Sequence, residues 1–219
     1  MWKYEDTIFV VEPFPCRVMM TTVAQGTMKD AERRRVFCTS SDIDVHSITV
    51  GKQVHGPRVA VVDSSNKGLE IPDTDALVTA VAAIPLGVFT ADCVPVFLAA
   101  KDGSCGGVVH AGWRGMAAGI IPETVKMLSE RFAVRSADLV AAIGPHIQPC
   151  CYAVDADTLK LFAQSGPTLD LGAVALGQLH GAGITEIISC NRCTHHETNL
   201  FYSYRRTGTA ERMMSVLIL

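Results

Sequence analysis

The sequence predicts an α+β fold, and two observations predict it. Short β-branched runs and helical segments are mixed along the 219 residues without the strict alternation of a doubly wound sheet. Hydrophobic residues make up 48% of the chain against 19% charged, which is ample material for a sizeable core. No internal repeat, low-complexity tract or linker divides the chain, so residues 1–219 read as a single domain.

In chain order, Thr7–Val11 reads as a strand, followed by a connection through Pro13 and Pro15. The charged segment Lys29–Phe37 reads as a short helix. Ile48–Val50 and Arg58–Asp63 read as strands by their β-branched content, with Gly51–Gly56 between them and a polar loop at Ser64–Gly68. Asp73–Thr79 starts polar and turns apolar. Leu86–Thr90 and Val94–Ala99 are strands, the second beginning near Pro95, because proline cannot donate within a ladder. Lys101–Ser104 is a hairpin-type turn into Gly106–His110. That strand turns on Gly112 and Gly115 into a predicted helix over Met116–Phe132, whose N-terminal end would favour an anion. Asp138–Ile143 is a further strand, and Asp155 a predicted N-cap for a helix through Phe162. Ala173–His180 is a helix closed by Gly181 or Gly183. Thr185–Ser189 is a strand, Phe201–Arg206 a polar aromatic segment, and Met213–Leu219 the last strand.

Composition excludes several classes. The net charge is −3 and the longest basic block is Arg33–Arg35, which argues against nucleic acid as a partner. No apolar run reaches the roughly 20 residues of a membrane span, and the N-terminal segment does not read as a secretory signal. A cytoplasmic protein, monomer or homodimer, is expected. Eight cysteines in such a chain read as mostly reduced. Cys190-Asn191-Arg192-Cys193 has the CxxC form without a second pair to complete a zinc ribbon, and packing is its expected role. Adjacent Cys150 and Cys151 are not expected to chelate one ion together.

Three residues lie where side chains from different strands can converge. His55 sits in a Gln-Val-His-Gly turn before a strand, Cys93 at a strand junction after Asp92, and His110 at the end of its strand. Two imidazoles and a thiolate are a three-ligand zinc set with an open fourth position. An open zinc lowers the pKa of its bound water to about 7. Copper is less expected, since a reducing cytosol and non-redox chemistry both suit zinc, although the ligand set alone allows either. The same atoms also allow a cysteine nucleophile activated by His110.

Six motifs come in one order: Gln53–Gly56, Asp75–Thr79, Ala91–Val96, His110–Gly115, Gly144–Ile147 and Ser203–Arg206. Together they resemble the YfiH-like laccase-domain family, also labelled polyphenol oxidase or purine nucleoside phosphorylase, from about residue 53 to the C-terminus. The resemblance implies mixed β-sheets in an α/β/β/α layered sandwich and a metal triad of His55, Cys93 and His110. It implies phosphorolysis of adenosine, inosine and methylthioadenosine with adenosine deamination, so a purine nucleoside and phosphate are the expected partners. On that reading Asp92, Cys93 and His110 are catalytic. Arg114, Trp113, Arg205 and Asp75 bind substrate or phosphate, with Asp75 alternatively orienting local backbone. Trp113 or Tyr204 would stack on the base, and Arg205 is favoured over Arg206 as the inward residue of a strand. Relatives carry an acidic residue after the tyrosine of the Gly-Pro-His-Ile loop, where this chain has Ala153 after Tyr152. The competing readings are a copper phenol oxidase, a metal-free cysteine hydrolase acting on cell-wall precursors, and a non-catalytic zinc-stabilised binding domain with His146 as fourth ligand.

Overall fold

A computed structural model describes residues 1–219. The first half of the chain lays down most of the strands. A hairpin of β1 (Trp2–Glu5) and β2 (Ile8–Val11) leads to β3 (Arg17–Met20) and helix α1 (Ala31–Ser40). Then come β4 (Thr49–Gly51), β5 (Val59–Val62), β6 (Glu70–Ile71), β7 (Ala76–Thr79), β8 (Leu86–Thr90), β9 (Val94–Ala100) and β10 (Gly106–Ala111). The second half is richer in helix: α2 (Trp113–Ala117), α3 (Ile120–Phe132), β11 (Leu139–Ile143), α4 (Ala156–Lys160), α5 (Leu171–Gly181), β12 (Glu186–Ser189), α6 (Tyr204–Thr207) and β13 (Met213–Ile218).

The strands form two mixed sheets. One is seven-stranded in the order β1-β2-β3-β13-β8-β4-β6; the other is six-stranded in the order β12-β11-β9-β10-β7-β5. Their facing sides are apolar and pack together: Val11, Val18, Leu86, Val88 and Leu217 of the first meet Val62, Leu77, Phe97, Val108 and Ala142 of the second. The outer face of the first sheet, with Met19, Phe89, Met214 and Val216, is covered by Phe37 and Cys38 of α1. On the other side Val96, Leu98, Val109 and Ala141 are covered by Ile121, Val125 and Leu128 of α3 and Ala175 and Leu179 of α5. Strands buried on both faces need continuous apolar runs, and β9 and β10 are buried at every position. This is the α/β/β/α sandwich, an α+β fold. No helix is long and apolar enough to cross a membrane.

Two expectations are corrected. The helix read over Met116–Phe132 starts earlier, at Trp113, and is broken in two. Gly119 takes φ +84°, outside helical backbone, and Pro122 in the first turn of α3 has no N–H to give. Residues 204–207 are one helical turn capped by the Ser203 hydroxyl, not a strand. Adjacent arginines therefore diverge by helical rotation rather than strand alternation.

The topology gathers one edge. Three connections pass from the first sheet to the second: β4 to β5, β6 to β7, and β8 to β9. They carry His55, Asp75 and Cys93, while β10, between β9 and β7, brings His110 to the same edge.

Candidate metal centre

The organising group is Asp75. It is 1% exposed, and an isolated carboxylate so buried would be costly. It is satisfied four times. Oδ2 accepts from the backbone N–H of Val54 (2.9 Å) and Gly56 (3.0 Å), and Oδ1 from that of His55 (2.9 Å). Oδ1 also lies 2.7 Å from His110 Nδ1. These partners hold its carboxyl below the usual range although burial works the other way. Asp75 thus supports His55 at φ +61°, a conformation uncommon for a non-glycine residue. It also holds His110 twice, since its backbone carbonyl accepts the His110 N–H at 2.7 Å. Asp75, like the three ligand candidates, does not line the cavity described below, and its oxygens are all engaged, which matches the backbone-orienting alternative.

His55, Cys93 and His110 converge, with their donor atoms all within 4.8 Å of one another. The two imidazoles meet edge-on, ring centroids 4.7 Å apart. Gly112 makes the convergence possible: a Cβ there would lie 2.8 Å from His55 Cδ2 and 3.2 Å from Cys93 Sγ. Burial pushes the Cys93 thiol up, but the charge of His110 and hydrogen bonds from His110 and His55 outweigh it and bring it to about 6. Burial likewise lowers His110, while the Cys93 thiolate and Asp75 raise it to about 9. The pocket therefore concentrates negative charge that a proton on His110 balances, and a divalent cation held by the same atoms would take that proton's place. With Nδ1 turned to Asp75, His110 offers Nε2, the usual carboxylate–histidine–metal arrangement. Two imidazoles and one thiolate fit zinc with a position left open.

Asp92 stands beside the triad at φ +95° and 6% exposed. Its Oδ1 accepts from Thr194 Oγ1 (2.7 Å) and its Oδ2 from the Arg205 N–H (2.7 Å). Both oxygens serve as braces between the Cys93 turn, the Thr194 loop and the start of α6, which leaves the expected proton-moving role without a free oxygen.

A cavity of about 410 Å³ is walled by Trp113, Tyr152, Val154, Asp155, Thr158 and Arg205. The Arg205 guanidinium lies 4.8 Å over the Tyr152 ring and donates to Ala153 O. Burial, then the nearby Cys93 charge, push the Tyr152 phenol up to about 12, which ties this wall to the triad. Arg114 is exposed, its guanidinium 4.2 Å over Trp113, outside the cavity wall. Tyr204, expected as a stacking residue, is 60% exposed and does not line this cavity, whereas Tyr152 lines it together with Trp113. Arg206 is consumed internally by the carbonyls of Thr194, His195 and Phe201. The anion site expected at a helix N-terminus is also weakened, because α2 has only five residues and little macrodipole. His146 is not a fourth ligand: Nδ1 lies 2.8 Å from Gly144 O and Nε2 3.0 Å from Gln148 Nε2. Sequence reasoning missed Gln53, whose amide accepts from Phe89 N–H (2.7 Å) and donates to Phe89 O (2.8 Å), pinning the His55 loop to β8.

A two-sheet sandwich with a histidine–histidine–cysteine pocket at the edge where its sheets exchange strands is a narrow class of protein. The chain belongs to the family described as multi-copper polyphenol oxidoreductase laccase, whose model matches residues 21–219. Among its relatives, a protein named purine nucleoside phosphorylase YlmD from Geobacillus stearothermophilus is 35% identical over 191 residues, covering 76% of this chain and 70% of that one. Purine nucleoside phosphorylase YfiH of Escherichia coli is 33% identical over 181 residues, covering 77% and 72%. The crystal structure of a Bacillus licheniformis hypothetical protein YfiH superposes with a TM-score of 0.93 at 26% identity, covering 100% of this chain and 98% of that one. That of YlmD from Geobacillus stearothermophilus gives 0.93 at 28%, covering 99% and 98%.

Proposed function

We propose that residues 1–219 form one catalytic domain, a zinc-dependent purine nucleoside enzyme. It would cleave adenosine, inosine or methylthioadenosine by phosphorolysis and also deaminate adenosine. The observation that carries this reading is the convergence of His55, Cys93 and His110, linked to a cavity walled by Trp113, Tyr152 and Arg205 through Gly112, which packs on His55 and Cys93 and precedes Trp113, and through the Asp92–Arg205 bond. The relatives' names supply the substrate class.

Zinc bound by the three side chains supplies a Lewis acid and lowers the pKa of water. The chain's own residues do the rest. Asp75 fixes the tautomer and direction of His110 and the turn that presents His55. Trp113 and Tyr152 offer aromatic faces to a purine, and Arg205 offers phosphate a planar guanidinium. Arg114, stacked on Trp113, is a second cation at the rim. In phosphorolysis a phosphate oxygen bonds to ribose C1′ as the bond to the base nitrogen breaks, and the base leaves with a proton. In deamination water adds at the purine C6 and ammonia leaves. Asp92 and Cys93 act by holding the wall and the cation, respectively. Zinc is favoured over copper because the two-histidine, one-thiolate set, in a chain with seven histidines, lacks the further histidine sites that electron transfer through several coppers uses. Eight free cysteines suit a reducing, cytoplasmic setting, and a net charge of −3 without a clustered basic face argues against nucleic acid as a partner.

The test is product analysis on adenosine with and without phosphate. Adenine marks phosphorolysis, inosine deamination, and hypoxanthine both. No product in either condition from zinc-loaded protein rejects the reading. One observation favours a second reading: Asp75, His110 and Cys93 line up as orienter, base and nucleophile. Activity that survives complete metal removal and dies on Cys93 alkylation would select a metal-free cysteine enzyme.

A further inference from the structure

Cys150, Cys151, Cys193 and His196 bring their donor atoms within 4.8 Å of one another, in a group that shares no residue with the His55–Cys93–His110 pocket. We propose that these four side chains form a second metal site, a closed three-cysteine, one-histidine centre for zinc. It does not depend on the nucleoside reading.

The spacing of the Cys150 and Cys151 sulfurs matches that of two ligands on one tetrahedral ion. With metal–sulfur bonds of about 2.3 Å, two sulfurs on one tetrahedral zinc lie about 3.8 Å apart. Cys150 and Cys151 Sγ are 3.6 Å apart, far beyond the roughly 2.05 Å of a disulfide bond. His196 Nε2 is 3.1 Å from Cys151 Sγ, and its Nδ1 is 3.8 Å from Cys150 Sγ. Adjacent cysteines manage this because Pro149–Cys151 is a 3-10 turn, about three residues per turn, and not an extended strand with side chains on opposite faces. Cys193 enters through a parallel bridge between His146 and Cys193, and His196 follows at C-x-x-H spacing. The CxxC motif is thereby split: the Cys190 N–H bonds to Ile143 O, and Cys190 stays outside the group. Three thiolates and one imidazole with no vacant position describe a structural rather than a catalytic zinc.

Its role follows from what its ligands adjoin. Tyr152 follows Cys151 and lines the cavity; Thr194 follows Cys193 and braces Asp92, next to Cys93. Metal would clip the 150 and 193 loops together and hold the cavity wall.

The experiment uses full-length protein purified under reducing conditions, stripped by chelator, reloaded with Zn²⁺ and measured by elemental analysis. Cys150→Ser and His196→Ala alter exposed residues, so folding is expected to survive the double variant. That variant should hold one zinc fewer than wild type. Cobalt(II) loading should lose most of its sulfur-to-metal charge-transfer absorption in it, since three of the four thiolates at the two centres belong here. If the first pocket holds no metal, wild type binds one zinc and the variant none, which still supports this site. Equal zinc in both proteins overturns it. So does intact mass showing two hydrogens lost and mapped to a bond among Cys150, Cys151 and Cys193.

Discussion

Asp75 Oδ1 sits 2.7 Å from His110 Nδ1 while the same carboxylate caps the backbone that turns His55 inward. One buried acid therefore sets two of the three candidate ligands. Asp75→Asn should lower zinc affinity about 10–100-fold, the usual cost of losing such a support. Competition with a chromogenic chelator reads this directly.

Acid stability has a sign set by the same residue. Its carboxyl is held below its ordinary value in the folded protein. Its contribution is therefore complete above the unfolded carboxylate pKa and is lost as pH falls through the folded one. Urea midpoints of metal-free wild type should drop over that acid window, and Asp75→Asn should be less stable near neutrality with a flatter acid limb. Parallel curves for the two proteins would contradict the assignment.

Cys93 in metal-free protein should alkylate with a midpoint at about pH 6 instead of the about 8.5 of a free thiol. His110→Ala removes the largest favourable charge and leaves the burial and His55, so the midpoint should rise. Iodoacetamide rates against pH, with peptide mapping, measure both.

Gly112→Ala should keep the fold and lose the metal. The backbone at Gly112, φ −78°, is open to alanine, but the new Cβ would press on His55 and Cys93. Overpacking of this kind costs about 1–3 kcal/mol. Circular dichroism should be unchanged while zinc retention on dialysis falls at least tenfold.

Arg205 and Arg206 should separate cleanly. Arg206→Ala strands three carbonyl acceptors and should cost about 2–4 kcal/mol, visible as a lower Tm. Arg205→Ala leaves the interior intact and should raise KM for phosphate with a smaller change in Tm.

The α+β class rests on local marks, β-branched runs mixed with helical segments, whereas the layered arrangement and the reading of His55, Cys93 and His110 as one metal trio rest on the resemblance of six ordered motifs to a family. Asp75 reads in the sequence either as a substrate contact or as an orienter of local backbone, because a polar residue before a strand gives no sign of how many buried N–H groups it will meet. Tyr152 and the Cys150–Cys193 cluster were hidden for a related reason. They depend on the 146–152 loop lying against residues 190–196, a long-range pairing through the His146–Cys193 bridge. Gly119 was visible as a residue, but an apolar helical period running through it masked the break.

The most direct test is adenosine turnover in phosphate by metal-stripped protein as zinc is titrated back, beside Cys93→Ala. Adenine production should rise from near zero with zinc in the wild type and stay near zero in the variant. Full turnover by the stripped protein, or by Cys93→Ala, would contradict the claim that His55, Cys93 and His110 hold the cation the chemistry needs.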